Sequence, residues 1–318
     1  MIQKFSLYYS AKISIEELFI MIFKRLVQIL PKFPQVLKNR MIGGQVNMLL
    51  LTDIKSIFKS GKITTRGIAW FFGGGAAYTK CLVKDNFNEQ ENCLCFDNIR
   101  LPSIAVSEYN DLLAIYVDHT YSREIVEKLY DEGPYEYKEV FVEKGDIVID
   151  AGAHMGVFSA YCSSRGGVVY AFEPAPDTIE ILKITANLNK DIHIIPEVLS
   201  DTVGSIEMNL CGILSRANSI VNETKNSQKM TINTTTLDDF VHTNNIKRVD
   251  FIKADIEGAE RLLLRGAKNV LKDFAPKLAI CKYHLPDDRQ VIHDLIMEAN
   301  SNYIIRDKWK KMFAHVAK

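Results

Sequence analysis

Charge of one sign is what this sequence most lacks. Its 39 Lys and Arg are matched by 39 Asp and Glu, for a net charge of zero. No global field therefore draws the chain to nucleic acid, and no nucleic-acid partner is expected. Cysteine is scarce and scattered over Cys81, Cys93, Cys95, Cys162, Cys211 and Cys281. With no secretory signal peptide in view, that excludes a disulfide scaffold and predicts reduced, mostly buried thiols in a cytoplasmic protein. Cys93-x-Cys95 has no Cys/His pair following at ligand spacing, and Asp255, Glu257 and His284 could take a divalent cation but their spacing does not demand one, so no metal is expected. A long uncharged apolar run is also missing. The most apolar stretch, Ile13 to Leu30, is broken by Glu16, Glu17, Lys24 and Arg25, charges that exclude a bilayer span. Acids share its polar face with bases, which favours an amphipathic helix against the main domain or a dimer partner over a membrane-surface helix. The last absence is G-x-G-x-x-G, the turn that receives a dinucleotide pyrophosphate.

What is present begins at Gly145 and runs to Pro174. Ile147-Val148-Ile149 is a β-branched run of the kind buried on both faces of a parallel sheet, and Asp150 follows it. Gly152 and Gly156 bracket Ala153 and His154 in a turn where backbone can approach a ligand closely. Val157 to Ser164 reads as a helix stopped by Gly166-Gly167, and Val168 to Phe172 as a second buried strand. Glu173-Pro174 closes the unit. An acid at the second strand tip, about 20 residues past a glycine turn, accepts the ribose hydroxyls of an adenosine cofactor. S-adenosylmethionine carries no phosphate, and an acid at the first strand tip, Asp150, suits its ammonium group. The motif therefore favours that cofactor over a nicotinamide or flavin dinucleotide.

A second stretch, Val249 to Glu260, reads as a buried strand followed by a helix running to about Leu271. Glu257 and Glu260 fit a first helical turn, where the dipole favours carboxylates. Lys253 and Asp255 are charges in an otherwise buried run, which is expensive without partners. At the carboxyl end of a parallel strand they point to function.

Around these two stretches, Asp177 to Asn189 is a predicted helix and His193 to Ile195 a third strand. Ser200 and Asp201 fall where a third strand tip meets adenine. Asp201 to Gly204 reads equally as a hairpin turn into an alternating strand from Ser205 to Leu210. Ser215 to Lys229 reads as a polar surface loop. Lys277 to His284 is a fifth strand with His284 at its tip, Asp287 to Ala299 a helix, and Asn302 to Ile305 with Met312 to Val316 a closing hairpin. Before the catalytic unit lie a polar loop at Lys84 to Asn92, β-type segments from Asn98 to His119, notably Leu112 to Val117, and a helix at Ser122 to Tyr130. A turn at Glu132-Gly133-Pro134-Tyr135 leads Tyr135 toward the cofactor. At 318 residues the chain divides into a mixed extension at 1–130, for capping or oligomerisation, and a catalytic domain at 131–318.

Assembled, these residues resemble the FkbM-type methyltransferases. The matching blocks are Pro134-Tyr135, Gly145 to Gly156, Ala171-Phe-Glu-Pro174, Thr236-Leu-Asp-Asp239, Phe251 to Glu260 and Tyr283-His284. Two positions depart from the family: His154 stands where asparagine is usual, and Lys282 where many members carry an apolar or acidic residue. The resemblance implies a class I methyltransferase fold, a mostly parallel seven-stranded Rossmann-like sheet with an antiparallel terminal hairpin. It also implies S-adenosylmethionine as methyl donor and a hydroxyl of a sugar, polyketide or lipid-linked small molecule as acceptor. The expected cofactor residues are Tyr135, Asp150, Gly152, Ala153, His154, Gly156, Glu173, Pro174, Ser200, Asp201 and Asp255. For catalysis, neutral His284 has the intrinsic pKa of a general base, with Asp255 and Glu257 as alternatives or substrate-orienting groups. The competing readings are a Rossmann-like oxidoreductase and a non-catalytic adenosine-binding protein.

Overall fold

The structure, a computed structural model, describes residues 86–104, 134–210 and 228–317. The helices predicted at Ile13 to Leu30 and Ser122 to Tyr130, the segment at Leu112 to Val117 and most of the loop from Ser215 lie outside the described residues. The chain divides into two compact units, Met1–Phe96 with Ser103–Leu129, and Asp97–Pro102 with Tyr130–Lys318. In the first, β1 (Phe87–Asn88) pairs antiparallel with β2 (Cys93–Phe96). The hairpin's first strand and its turn lie where the sequence reads as a polar loop, Lys84 to Asn92. The Asn88 side chain accepts from the backbone of Gln90 and Glu91, which closes the turn locally.

The second unit opens with β3 (Ile99–Pro102), held by Asn189, which accepts from Arg100 N and donates to Arg100 O. There follow β4 (Ile147–Ala151), α1 (Val157–Ser164), β5 (Val168–Phe172), α2 (Pro176–Leu188) and β6 (Ile192–Ile195). Next come β7 (Val198–Leu199), β8 (Gly204–Leu210), β9 (Gln228–Thr235), α3 (Leu237–Thr243) and β10 (Phe251–Ala254). The chain then forms α4 (Glu260–Arg265), α5 (Lys268–Asp273), β11 (Lys277–Cys281), α6 (Asp288–Ala299), β12 (Tyr303–Lys308) and β13 (Lys311–Val316).

Seven strands form one sheet in the order β6-β5-β4-β10-β11-β13-β12. The strands β4, β5, β6, β10 and β11 pair in parallel, and β13 runs antiparallel to both β11 and β12. The order grows outward from β4 to β5 on one side and to β10 on the other. Between β4 and β10 lies the switch point, where open α/β sheets leave a crevice at their carboxyl ends. The side-chain period of two sorts the strands onto two faces. Val148, Val169, Phe251 and Ala279 pack toward Phe158, Cys162 and Leu182 on α1 and α2. Their neighbours Ile149, Ile252, Leu278 and Ile280 pack toward Leu237, Leu263, Ile292 and Ile296 on the helices of the other face. The apolar runs read as two-sided strands are therefore covered by helices on both sides.

Three expectations need correction. The strand β9, which pairs with β7 in parallel and β8 antiparallel, begins inside the segment read as loop. Its Thr- and Asn-rich sequence carries little apolar signal, and only the hairpin with β8 specifies it. The single helix expected up to Leu271 is two, broken at Gly266, where a Cβ would sit 2.0 Å from the carbonyl oxygen of Ser200. Strand β11 ends at Cys281 rather than reaching His284.

Candidate active site

The tips of β4 and β10 meet at the switch point, with Asp150 opposite Lys253 and Ala151 opposite Ala254. Both charges are buried. The Lys253 Nζ lies 3.0 Å from Asp150 Oδ1 and donates to the carbonyls of Ala151 and Gly152 at 3.2 and 2.6 Å. Ser159 Oγ donates to the other Asp150 oxygen at 2.6 Å. Asp150 is thus buried at 0% exposure between Lys253 and Ser159. Its work is to hold Lys253 beneath the glycine turn. The turn itself needs glycine: Gly152 has φ +74°, and a Cβ there would lie 2.1 Å from the carbonyl oxygen of Asp255. His154 also has positive φ, +50°. Asparagine and histidine both tolerate that region better than most residues, which accounts physically for the exchange at this position.

Four of the five amides of the turn are spent within the chain. Gly152 N and Ala153 N both donate to Phe172 O, Gly156 N to Ala153 O, and His154 N to Glu173 Oε2. A pyrophosphate would need such amides free, so the turn is built against a dinucleotide. Glu173, at the tip of β5, is buried and takes one backbone donor on each oxygen, His154 N at 3.0 Å and Ala175 N at 2.9 Å. Burial pushes its pKa up, against the opposing pull of those two amides, His154 and Lys253. Pro174 and Ala175 then lead into α2, with Pro176 in its first turn. Ser200 is buried just past β7, its amide bonded to Thr235 O, while Asp201 beside it is exposed.

On the β10 side the groups converge. Tyr135, buried against Phe158, donates through its hydroxyl to Asp255 Oδ2 at 2.6 Å. Its ring lies under two buried lysines, with Lys311 Nζ at 4.3 Å and Lys253 Nζ at 5.2 Å from the centroid. Tyr135 therefore orients the carboxylate at the β10 tip. Glu257 lies outside any helix, with φ +54°. His284, three residues past β11, has a side chain only 4% exposed. Its Nε2 lies 3.6 Å from Asp255 Oδ1 and 3.5 Å from Glu257 Oε2, and its Nδ1 lies 3.0 Å from Glu260 Oε1. The sequence assigned Glu260 to helix-dipole duty. In the structure it is fully buried, accepts from Ile256 N and Gly258 N, and so shapes the loop that carries Asp255 and Glu257. No local pattern announces that role.

The electrostatics alter one expectation. Burial lowers the pKa of His284, but pairing with Glu260 and the charges of Asp255 and Glu257 outweigh it and raise it to about 9. Those carboxylates favour the protonated imidazole, where the sequence reading looked to the neutral form. Burial would raise Asp255, yet Lys253, Lys311, the Tyr135 hydroxyl and His284 together hold it at about 2. Lys282 reaches outward to Asp307 at 3.0 Å.

Strand order 3-2-1-4-5-7-6 in sheet-strand terms, with a glycine turn and acidic tip at the switch point, defines a class I, Rossmann-like methyltransferase fold. A family model for the methyltransferase FkbM domain matches residues 150–310, and the chain belongs to that family. Hexuronic acid methyltransferase AglP of Haloferax volcanii is 29% identical over 160 residues, which cover 49% of this chain and 64% of the relative. The chain thus spans less than two thirds of that relative. Methyltransferase 1 of Beauveria bassiana is 24% identical over 184 residues, covering 49% of this chain and 70% of the relative. The crystal structure of methyltransferase FkbM from Methylobacillus flagellatus aligns with TM-score 0.44 and 19% identity over 80% of this chain and 62% of that one.

The cofactor of this domain is S-adenosylmethionine, and the residues present fit it. Glu173 keeps acceptor capacity on both oxygens after its two amide contacts, as a ribose diol requires. The turn offers close backbone approach with four of its five amides already satisfied, which suits a ligand without phosphate. Among the described residues no helix is long and apolar enough to cross a membrane. The four described cysteines, Cys93, Cys95, Cys162 and Cys281, are free thiols.

Proposed function

We propose that this chain uses S-adenosylmethionine to methylate a hydroxyl oxygen of a small acceptor of the sugar, polyketide or lipid-linked kind. The observation that carries the reading is the Asp255–Glu257–His284 cluster past β10 and β11, with the glycine turn on the next strand, β4, and Glu173 one strand further on β5. The name of the Haloferax volcanii relative makes sugar acids the first acceptors to try. Residues 131–318 are proposed as the catalytic domain and 1–130 as a capping or oligomerising extension.

When bound, S-adenosylmethionine supplies an electrophilic methyl group on a sulfonium. Glu173 holds the ribose hydroxyls, the Gly152–Gly156 turn with Ala153 and His154 lines the methionine end, and Pro174, Ser200 and Asp201 flank the adenine side. The protein must then hold the acceptor oxygen in line and take its proton. Asp255, fixed by Tyr135, orients the hydroxyl as a hydrogen-bond acceptor. Glu257 is the more open of the two carboxylates, at 31% against 20% exposure, and receives the proton as the oxygen–carbon bond forms. His284 balances the negative charge of the pair.

Calorimetry with S-adenosylhomocysteine, then labelled-methyl transfer to a panel of sugar acids with the methyl located by mass spectrometry, tests the reading. Methyl ethers on ring hydroxyls are expected. Glu257→Gln should lower turnover by about 10²–10⁴-fold, the usual effect of losing a general base. Absence of cofactor binding, or a methyl group found only on carboxylates, would overturn it.

A further inference from the structure

Three atoms in the acceptor cluster stand at an unusual spacing. Asp255 Oδ1 and Glu257 Oε2 come from the loop after β10 and His284 Nε2 from the turn after β11, and one ligand atom from each residue lies within 4.8 Å of the others. The two distances from Nε2, 3.6 and 3.5 Å, are too long for good N–H···O bonds. Among the described residues Nε2 has no hydrogen-bond partner, although its side chain is 4% exposed and aimed between two carboxylates. Atoms that share one ion at about 2.0–2.2 Å, at tetrahedral or octahedral angles, stand about 3.0–3.5 Å apart. The observed spacing is close to that edge length.

We propose that Asp255, Glu257 and His284 form a binding site for a divalent cation of the manganese or zinc class. One imidazole nitrogen and two carboxylate oxygens are a mixed donor set of the kind such ions accept. Glu260, 3.0 Å from Nδ1, is the outer carboxylate that fixes a ligating imidazole in orientation. As the Nε2 lone pair turns to the ion, its proton leaves to solvent. Three protein ligands leave coordination positions open, as catalytic sites do and structural ones do not. Binding of the ion rests on geometry alone. Its use, drawing an acceptor hydroxyl to an open position and easing its deprotonation, rests on the methyltransferase reading above.

The test is titration of chelator-treated full-length protein with Mn2+, followed by the electron paramagnetic resonance of the free ion. Co2+ absorption in the visible then reports nitrogen ligation. One ion per chain is expected. Glu257→Gln, at a partly exposed position that should leave folding intact, and His284→Ala should each weaken binding at least about tenfold, and Glu260→Gln by about 10–100-fold. No saturable binding of either ion would overturn the proposal. So would affinity unchanged in Glu257→Gln and His284→Ala, or affinity lost only in Cys93→Ser with Cys95→Ser, which would move the ion to the Glu91–Cys93–Cys95 group. S-adenosylhomocysteine calorimetry on the same samples separates the two ideas. Cofactor binding without metal binding sinks only the ion, and metal binding without cofactor binding sinks only the methyltransferase.

Discussion

The two halves of the switch point are built on opposite electrostatic plans. On the β4–β5 side, charges and amides are matched one to one: Lys253 with Asp150 and two carbonyls, and Glu173 with two backbone donors. On the β10–β11 side, three carboxylates crowd one histidine, and its Nε2 makes no hydrogen bond to the described chain. A matched half is stable by itself and waits for a ligand of fixed shape. The second half nonetheless shares its cations with the first: against the raising effect of burial, Lys253 acts on Asp255 together with Lys311, the Tyr135 hydroxyl and His284, which hold its pKa at about 2.

The sharpest way to break this contrast is to unmatch the first half. Lys253→Met leaves the fully buried Asp150 carboxylate without its cation and should cost about 3–5 kcal/mol in urea unfolding. Adding Asp150→Asn should restore most of that loss. A single substitution that costs little would mean the pair is not what supports the turn. Gly152→Ala comes next. Its Cβ would collide with the Asp255 carbonyl at 2.1 Å, and a cost of about 1–3 kcal/mol is expected from overpacking, before the left-handed backbone is counted. Equilibrium unfolding measures it, and an unaltered midpoint would show that the strand tips can part.

Glu173→Ala probes the same half through its ligand. Loss of charge-assisted hydrogen bonds to the ribose should weaken S-adenosylhomocysteine by more than about 1.5 kcal/mol, readable by calorimetry. Equal affinity would remove Glu173 from the site. The smallest effect lies at the rim, where Asp307 pairs with Lys282 and Arg289. Burial would raise its pKa, but the two hydrogen-bonded cations lower it below 3.8. A depressed carboxylate stabilises the fold above its unfolded pKa and loses that contribution as pH falls through the folded value. Asp307→Asn should therefore cost under about 1 kcal/mol at neutral pH and nothing well below 3.8. A cost that persists in acid would be steric.

Much of the sheet was legible because β-branched runs at 147–149 and 168–172 are unambiguous, and the helix Val157–Ser164 has the same bounds in sequence and structure. Strand β9 was not, because a polar strand is defined by its partner. In the site, spacing located the tips bearing Asp255 and Glu173 but not the direction each side chain takes. The pairing of Asp150 with Lys253 was not legible, since only the register of β4 with β10 sets the two opposite each other. His284 reads as a neutral base until its neighbours are counted, and those neighbours come from a loop some 25 residues earlier in the chain. Glu260 was hidden by a sufficient local explanation, the helix dipole, that conceals a tertiary one.

The Lys253 ammonium ties its own strand to the carbonyls of Ala151 and Gly152, and the absent side chain at Gly152 lets the Asp255 carbonyl rest against that same peptide. The two strand tips are therefore pinned to each other like the jaws of a vice with no play. Any hinge that serves substrate entry must lie elsewhere. Across this crevice the spacing between the glycine turn and the loop that carries Asp255 is set by the frame of the sheet.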